Sequence, residues 1–186
     1  MVDYTSKIEP EKFEFVGEEV KHRYRQAENY DPVIYAAVLH RVLDHEVDYH
    51  KSGRQIPSPS ELLDILSGDC QDQAVLLNSL YTAVGLEAGF LRVKRMDKSG
   101  AHILPLLKDP LRDPDEFARM LRRFYKVQFD EFNEEICYEK RNGDYWFVAD
   151  PGWSRYVGDI SSLSGAYIVD NGSSWKWYDE TGFQEI

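Results

Sequence analysis

Three features of the chain predict an α+β fold. Helical periodicity dominates the first 85 residues, and alternating strand-like segments follow from residue 88. Two Asn-Gly pairs mark tight turns between such segments, and a single helical pattern near 114–125 interrupts them. Helices first, then a mainly antiparallel sheet with one inserted helix, is an α+β order. The chain has 186 residues, 42% hydrophobic and 13% aromatic, enough to bury a core as one domain spanning 1–186.

Residues 1–30 are polar with scattered aromatics and read as an arm or covering helix. "DPVIYAAVLHRVLDHEVDYH" from Asp31 reads as a helix, with Asp31 as N-cap, Pro32 at the first helical position, and apolar residues Ile34, Val38, Val42 and Tyr35, Leu39 at four-residue spacing. Residues 51–60 form a loop, from which Ser60 caps a short helix "ELLDIL". The next helix starts at Cys70. Its stripe runs through Ala74, Leu77, Tyr81 and Val84, with Leu76 and Leu80 beside it, and Gly85 is placed to end it. "AGFLRVKRM" alternates Leu91, Val93 with Arg92, Lys94 as a strand does, "DKSG" turns, and "AHILPLL" is a second strand. A helix starts near Pro114. "ICYEKRNGDYWFVADPGW" reads as two strands joined at Asn142-Gly143, and "GAYIVDNGSSWKWYD", within the C-terminal 156–186, as a further hairpin around Asn171-Gly172.

Charge narrows the function classes. With 33 acidic and 22 basic residues the net charge is −11, which argues against a nucleic-acid partner. The one basic cluster, "RMLRRFYK" at 119–126, reads as the solvated face of a helix. No apolar run reaches the length of a membrane span, and "MVDYTSKIEPEKFEF" has no signal-like apolar region, so the expected compartment is the cytoplasm. Two cysteines, Cys70 and Cys137, do not make a disulfide scaffold, and a reducing compartment suits them. No cofactor is expected.

Chemistry concentrates on three residues. Cys70 lies in the first turn of its helix behind Asp69, where free backbone N–H groups and the helix dipole favour a thiolate and offer oxyanion donors. Its place on the apolar stripe also fits an inert, buried thiol. His102 opens the strand "AHILPLL" on the same face as Leu104 and Leu106, and Asp150 closes "YWFVAD" just before Pro151-Gly152. Singly, the histidine reads as a satisfied structural residue and the aspartate as a turn former. If their strands pair antiparallel, the start of one lies beside the end of the other, with directly opposed Cβ atoms about 5 Å apart. The carboxylate then holds the imidazole while its other nitrogen faces the thiol: nucleophile, base and orienter.

Rival constellations are weaker. His40, His45 and His50, interleaved with Asp44, Glu46 and Asp48, invite a metal, but steps of five rotate successive side chains by about 140° on a helix. No metal site is therefore expected there. Trp175 and Trp177 alternate as on a strand face, suiting sheet packing or a ligand platform. Cys137, mid-strand in "EEICYEK", reads as a packed residue.

"GDCQDQAVLLNSLYTAVGLEAGFLRV" resembles the core of the transglutaminase-like superfamily, in which Gly-Asp-Cys opens a helix and a Gly-Leu step leads into a strand. "PSPSELLDILSGDC" resembles that family's approach to the cysteine, "SGAHILPLL" its histidine strand and "YWFVADPGW" its aromatic strand ending in Asp-Pro. The resemblance covers about residues 31–155. It implies a papain-like α+β core and a thiol mechanism with Cys70 as nucleophile, His102 as base and acid, and Asp150 as orienter. The sequence departs from the family where Ile103-Leu104-Pro105 follows His102 in place of a nearby aromatic, and in the 109–140 insertion, which reads as part of a substrate wall or lid. The expected function is a cysteine hydrolase or acyl transferase acting on an amide of a peptide or protein. The alternative is a catalytically inactive peptide- or protein-binding domain of the same fold. The second oxyanion donor is not legible; Gln55 is the guess.

Overall fold

The computed structural model describes residues 3–24, 31–51, 56–95, 100–129, 132–163, 166–169, 177–179 and 182–184. Helices α1 (Glu14–Arg23), α2 (Asp31–Glu46), α3 (Pro59–Ile65) and α4 (Cys70–Ala83) come first, linked by the two-residue strands β1 (Asp48–Tyr49) and β2 (Ser67–Gly68). Strands β3 (Ala88–Arg95) and β4 (Ala101–Lys108) follow, then α5 (Pro114–Gln128), β5 (Tyr138–Arg141), β6 (Asp144–Val148), β7 (Ala166–Ile168), β8 (Trp177–Asp179) and β9 (Gly182–Gln184). The fold is α+β, with seven strands in the order β7-β3-β4-β6-β5-β8-β9 and every neighbouring pair antiparallel. Among the described residues no helix is long and apolar enough to cross a membrane.

Local chemistry accounts for most element ends. Gly85 has φ +82°, Gly85 N–H donates to the Thr82 carbonyl at 3.0 Å and Leu86 N–H to Tyr81 at 2.9 Å, a Schellman closure of α4. Asn142 and Gly143, at φ 52° and 91°, form the two-residue turn of the β5–β6 hairpin. Three expectations change. Ser58, not Ser60, caps α3: its side chain accepts from Glu61 N–H while Glu61 bonds back to Ser58 N–H, and Pro59 takes the first helical position. Helix α2 starts at Asp31, whose side chain lies outside the described residues, and its buried side is wider than expected. It takes in Val33, Ala36, Ala37, His40 and Leu43, whereas Val42 is exposed, because α2 packs against both α4 and α5. Finally, β7 and β8 do not pair with each other across Asn171-Gly172. β7 joins β3, β8 joins β5, and the C-terminal hairpin is β8–β9. Residues 170–176, including Trp175, and the DKS of the β3–β4 turn lie outside the described residues.

Two clusters of buried apolar side chains flank the sheet. Leu107, Phe147 and Ala149 join α2, α4 and α5 in one; Leu91, Val93, Leu104, Leu106 and Val148 join Ile160, Leu163 and Ile168 in the other. Alternate residues of β4 thus feed opposite clusters, which is why "AHILPLL" reads as a continuous apolar run. The α5 insertion turns Phe117, Ala118, Leu121 and Tyr125 into the first cluster, and Arg119, Arg123 and Lys126 face outward. The arm before α1 packs on α4: Phe13 is buried, and Glu9 N–H donates to Ser79 Oγ at 3.1 Å. This contact helps bury even the polar flank of α4.

Candidate active site

Cys70 owes its position to the two residues before it. A Cβ on Gly68 would meet Asp72 Cβ at 2.7 Å and Leu62 Cδ1 at 2.9 Å, so only glycine lets the chain run this close to α3 and α4. Asp69 then caps α4. Its Oδ1 accepts from Gln71 N–H at 2.9 Å and Asp72 N–H at 3.4 Å, and Asp72 Oδ2 accepts from Asp69 N–H at 2.9 Å. The cap therefore consumes first-turn amides that the sequence offers to an oxyanion. Among the described residues the Cys70 N–H keeps no such bond. The thiol residue is 9% exposed, at the rim of the buried stripe.

His102 and Asp150 meet across the β4–β6 pair. The register sets Leu106 opposite Val148, so its extension sets Asp150 beside Leu104, with His102 one diagonal step away rather than directly opposed. The side chains close that step: His102 Nε2 and Asp150 Oδ2 are 2.5 Å apart, both buried. The second carboxylate oxygen accepts from Gly152 N–H at 3.1 Å, and the turn is tied by Ser154 N–H to the Asp150 carbonyl at 2.8 Å. Cys70 lies near enough to the same imidazole to act on its protonation. With Nε2 engaged by Asp150, Nδ1 is the nitrogen left for sulfur. Burial pulls the His102 pKa down, but the hydrogen bonds and charges of Asp150 and Cys70 outweigh it and push it up to about 9. The structure brings His102 and Asp150 into direct contact and places Cys70 close enough for its charge to act on the same ring.

The surrounding side chains include several that sequence reasoning did not single out. Trp153 stacks on the His102 ring, centroids 3.7 Å apart and planes within 5°. It lies three residues beyond Asp150 in the same turn, and its place in "DPGW" was the available signal. Tyr49 reaches the site because β1 runs parallel to β2, the strand just ahead of Asp69. Burial, then the charges of Cys70, Asp69 and Asp150, raise its pKa. Tyr4, from the arm, donates to Gln71 Oε1 at 2.9 Å and packs on Phe90 with ring centroids 5.6 Å apart. Burial raises its pKa, Arg92 lowers it, and Cys70 and Asp69 add to the rise. No local pattern marks either tyrosine.

The remaining candidates are dispersed. Cys137 precedes β5 instead of lying within it, buried in the second cluster with its N–H bonded to the Gly158 carbonyl at 3.0 Å. Helix α2 ends at Glu46; His40 is buried, while His45 and His50 are exposed. Among the described residues no group of three or more His, Cys, Asp and Glu is placed to hold a metal ion. Gln55 lies outside the described residues, and of Trp177 only the backbone, in β8, is described.

No family model matches the chain, and no curated protein matches it. A crystal structure described as a "putative cysteine protease" from Cytophaga hutchinsonii is similar over 95% of this chain and 59% of that chain, with a TM-score of 0.47 and 13% identity. The present chain thus spans less than two thirds of that protein's length.

Proposed function

We propose that the protein is a cysteine hydrolase or acyl transferase of the transglutaminase-like kind, acting on an amide of a peptide or protein. The observation that carries the reading is that His102 is hydrogen-bonded to Asp150 beside Cys70, which opens α4 and acts on the same ring. His102, with its pKa pushed up to about 9, already holds the proton of the Cys70 thiol, and Sγ attacks the amide carbonyl carbon as the thiolate. The carbonyl electrons move onto oxygen, where the Cys70 N–H is the donor that the Asp69 cap leaves over. Collapse of this adduct breaks the C–N bond, His102 gives its proton to the leaving amine, and a thioester remains. Water or an acceptor amine then attacks the thioester, loses its proton to His102, and the sulfur departs. Asp150 holds the imidazole in the orientation both half-reactions need.

The binding-only reading draws on one observation, the 9% exposure of Cys70, which leaves little of the residue open to a substrate. One experiment separates the two. A panel of peptidyl-aminomethylcoumarin amides is screened with wild type and Cys70→Ala, and the acyl-enzyme is sought by intact mass. Turnover and a Cys70-linked acyl adduct in wild type, both lost in the variant, are expected. Turnover that survives Cys70→Ala would remove Cys70 from the chemistry, and a folded wild type inert to the whole panel would favour binding alone.

A further inference from the structure

Two buried polar side chains stand behind the Asp150 turn and take no part in the thiol chemistry. His40, on α2, is 0% exposed, and neither ring nitrogen makes a hydrogen bond of good geometry among the described residues. The groups that act on the ring are Asp44 one turn along the helix, the main chain and charge of Asp150, and Arg41. Burial outweighs all of them and lowers its pKa, so the ring is neutral, with one N–H to donate and one lone pair. Gln73 lies one turn into α4 from Cys70 and is also buried. Its Nε2 donates to the Val47 carbonyl at 3.3 Å, at the end of α2, while Oε1 has no hydrogen-bond partner among the described residues. That oxygen faces the turn: a Cβ on Gly152 would come within 3.0 Å of it and 3.7 Å of Asp150 Oδ1.

Residues 150–152 therefore run against Gln73 of α4, whose Oε1 would have to give way by a few tenths of an ångström to a side chain at 152, while the Asp150 main chain acts on His40 of α2. A buried polar atom without a good partner is costly, and an apolar residue of the same shape avoids that cost. These two side chains are placed where they touch the segment that aims the carboxylate. Gly152 N–H holds Oδ1, leaving Oδ2 for His102, and Trp153, next along, stacks on the same imidazole. A displaced turn would move both groups that hold His102.

We propose that His40 and Gln73 are positioning residues that bracket the Asp150–Gly152 turn from α2 and α4 and set the direction in which the Asp150 carboxylate meets His102. This rests on the reading of Cys70, His102 and Asp150 as a triad. The test uses full-length His40→Phe and Gln73→Met, each confirmed folded by thermal melting. The imidazole of His102 is titrated by NMR, and kcat and KM are measured on whichever peptidyl-aminomethylcoumarin amide wild type cleaves. The expected result is kcat lower by about 10- to 100-fold with KM within about twofold. The His102 midpoint, about 9 in wild type, should drop by roughly one pH unit. His40→Gln, which keeps a donor, should restore most of both. A side chain that only fills space moves neither readout, so folded His40→Phe and Gln73→Met with wild-type kcat and midpoint would overturn the proposal. If His40→Phe does not fold, Gln73→Met decides alone. If wild type shows no Cys70-dependent turnover, the triad reading fails, and the NMR midpoint still decides whether the two residues orient the pair.

Discussion

At His102 three influences compete: burial favours the neutral ring, whereas Asp150 and Cys70 favour the cation and prevail, with the pKa at about 9. The protonated ring is the form that delivers a proton to a leaving amine, so kcat should hold up to that value and fall above it. Asp150→Asn keeps the shape and removes the charge. The raised state of His102 then loses its first-named support, and the alkaline limb of the profile should move down from about 9 toward the ordinary 6.5. Loss of the correct tautomer should also cut kcat by roughly 10³- to 10⁴-fold. Both are read from a kcat–pH series on wild type and variant. A limb that stays at its wild-type position in the folded variant would show that Asp150 does not govern His102. Trp153 bears on the same residue differently: at 3.7 Å and 5° its indole covers one face of the imidazole, which limits ring rotation and keeps water off that face.

Helix α4 is where local sequence rules and the site coincide. Asp69 accepts from two amides and receives the returning bond of Asp72, so Asp69→Ala should cost about 1–2 kcal/mol of stability while Asp69→Asn retains most of it. Urea midpoints of the two variants check this; equal midpoints would mean that the cap does not hold the helix start. The features of α4 that the sequence shows directly are those set within a few residues: the cap at Asp69, the left-handed Gly85, and, further on, the turn at Asn142-Gly143. Cys70, His102 and Asp150 are likewise visible as residue types at element ends. What escapes is whatever depends on distant partners. The N-cap of α3 falls at Ser58 because Glu61 answers it, although Ser60 sits nearer the apolar run. Val42 matches the helical stripe yet is exposed, because the two helices packed on α2 set which arc is buried. Tyr49 and Tyr4 come to the neighbourhood of Cys70 through a parallel bridge and an arm that no periodicity announces. β7 finds β3 rather than β8 because an open edge of the sheet competes with the nearer segment.

Over the whole molecule, the buried ionisable groups set how stability changes with pH, and their signs can be worked out. His102 has a folded pKa above its ordinary 6.5, so its contribution is complete below 6.5 and disappears as pH rises through about 9. His40 is shifted the other way by burial: the folded protein resists its protonation, so stability falls as pH drops below 6.5. Burial raises Asp72, Asp109 and Glu139, from ordinary values of 3.8, 3.8 and 4.5. The fold holds those protons more tightly, and the resulting gain grows as pH falls into the acid range, opposing His40. Below 6.5 the terms therefore work against each other, while between 6.5 and 9 the His102 loss stands unopposed among them. The thermal midpoint should be nearly level from pH 5 to 6.5 and then fall by about 5–10 °C by pH 9.5. Calorimetry across that range tests it, together with His102→Gln, which removes the titrating ring and should flatten the alkaline decline. His40→Phe should act on the other side, raising the midpoint at pH 5 relative to that at pH 6.5 above the wild-type difference. It leaves Asp159, held low against its burial by the hydrogen bonds of Ser161 and Arg155, as a buried group that still opposes the raised carboxylates. A wild-type midpoint constant or rising between pH 6.5 and 9.5 would contradict the ion-paired state of His102 on which the proposed chemistry depends.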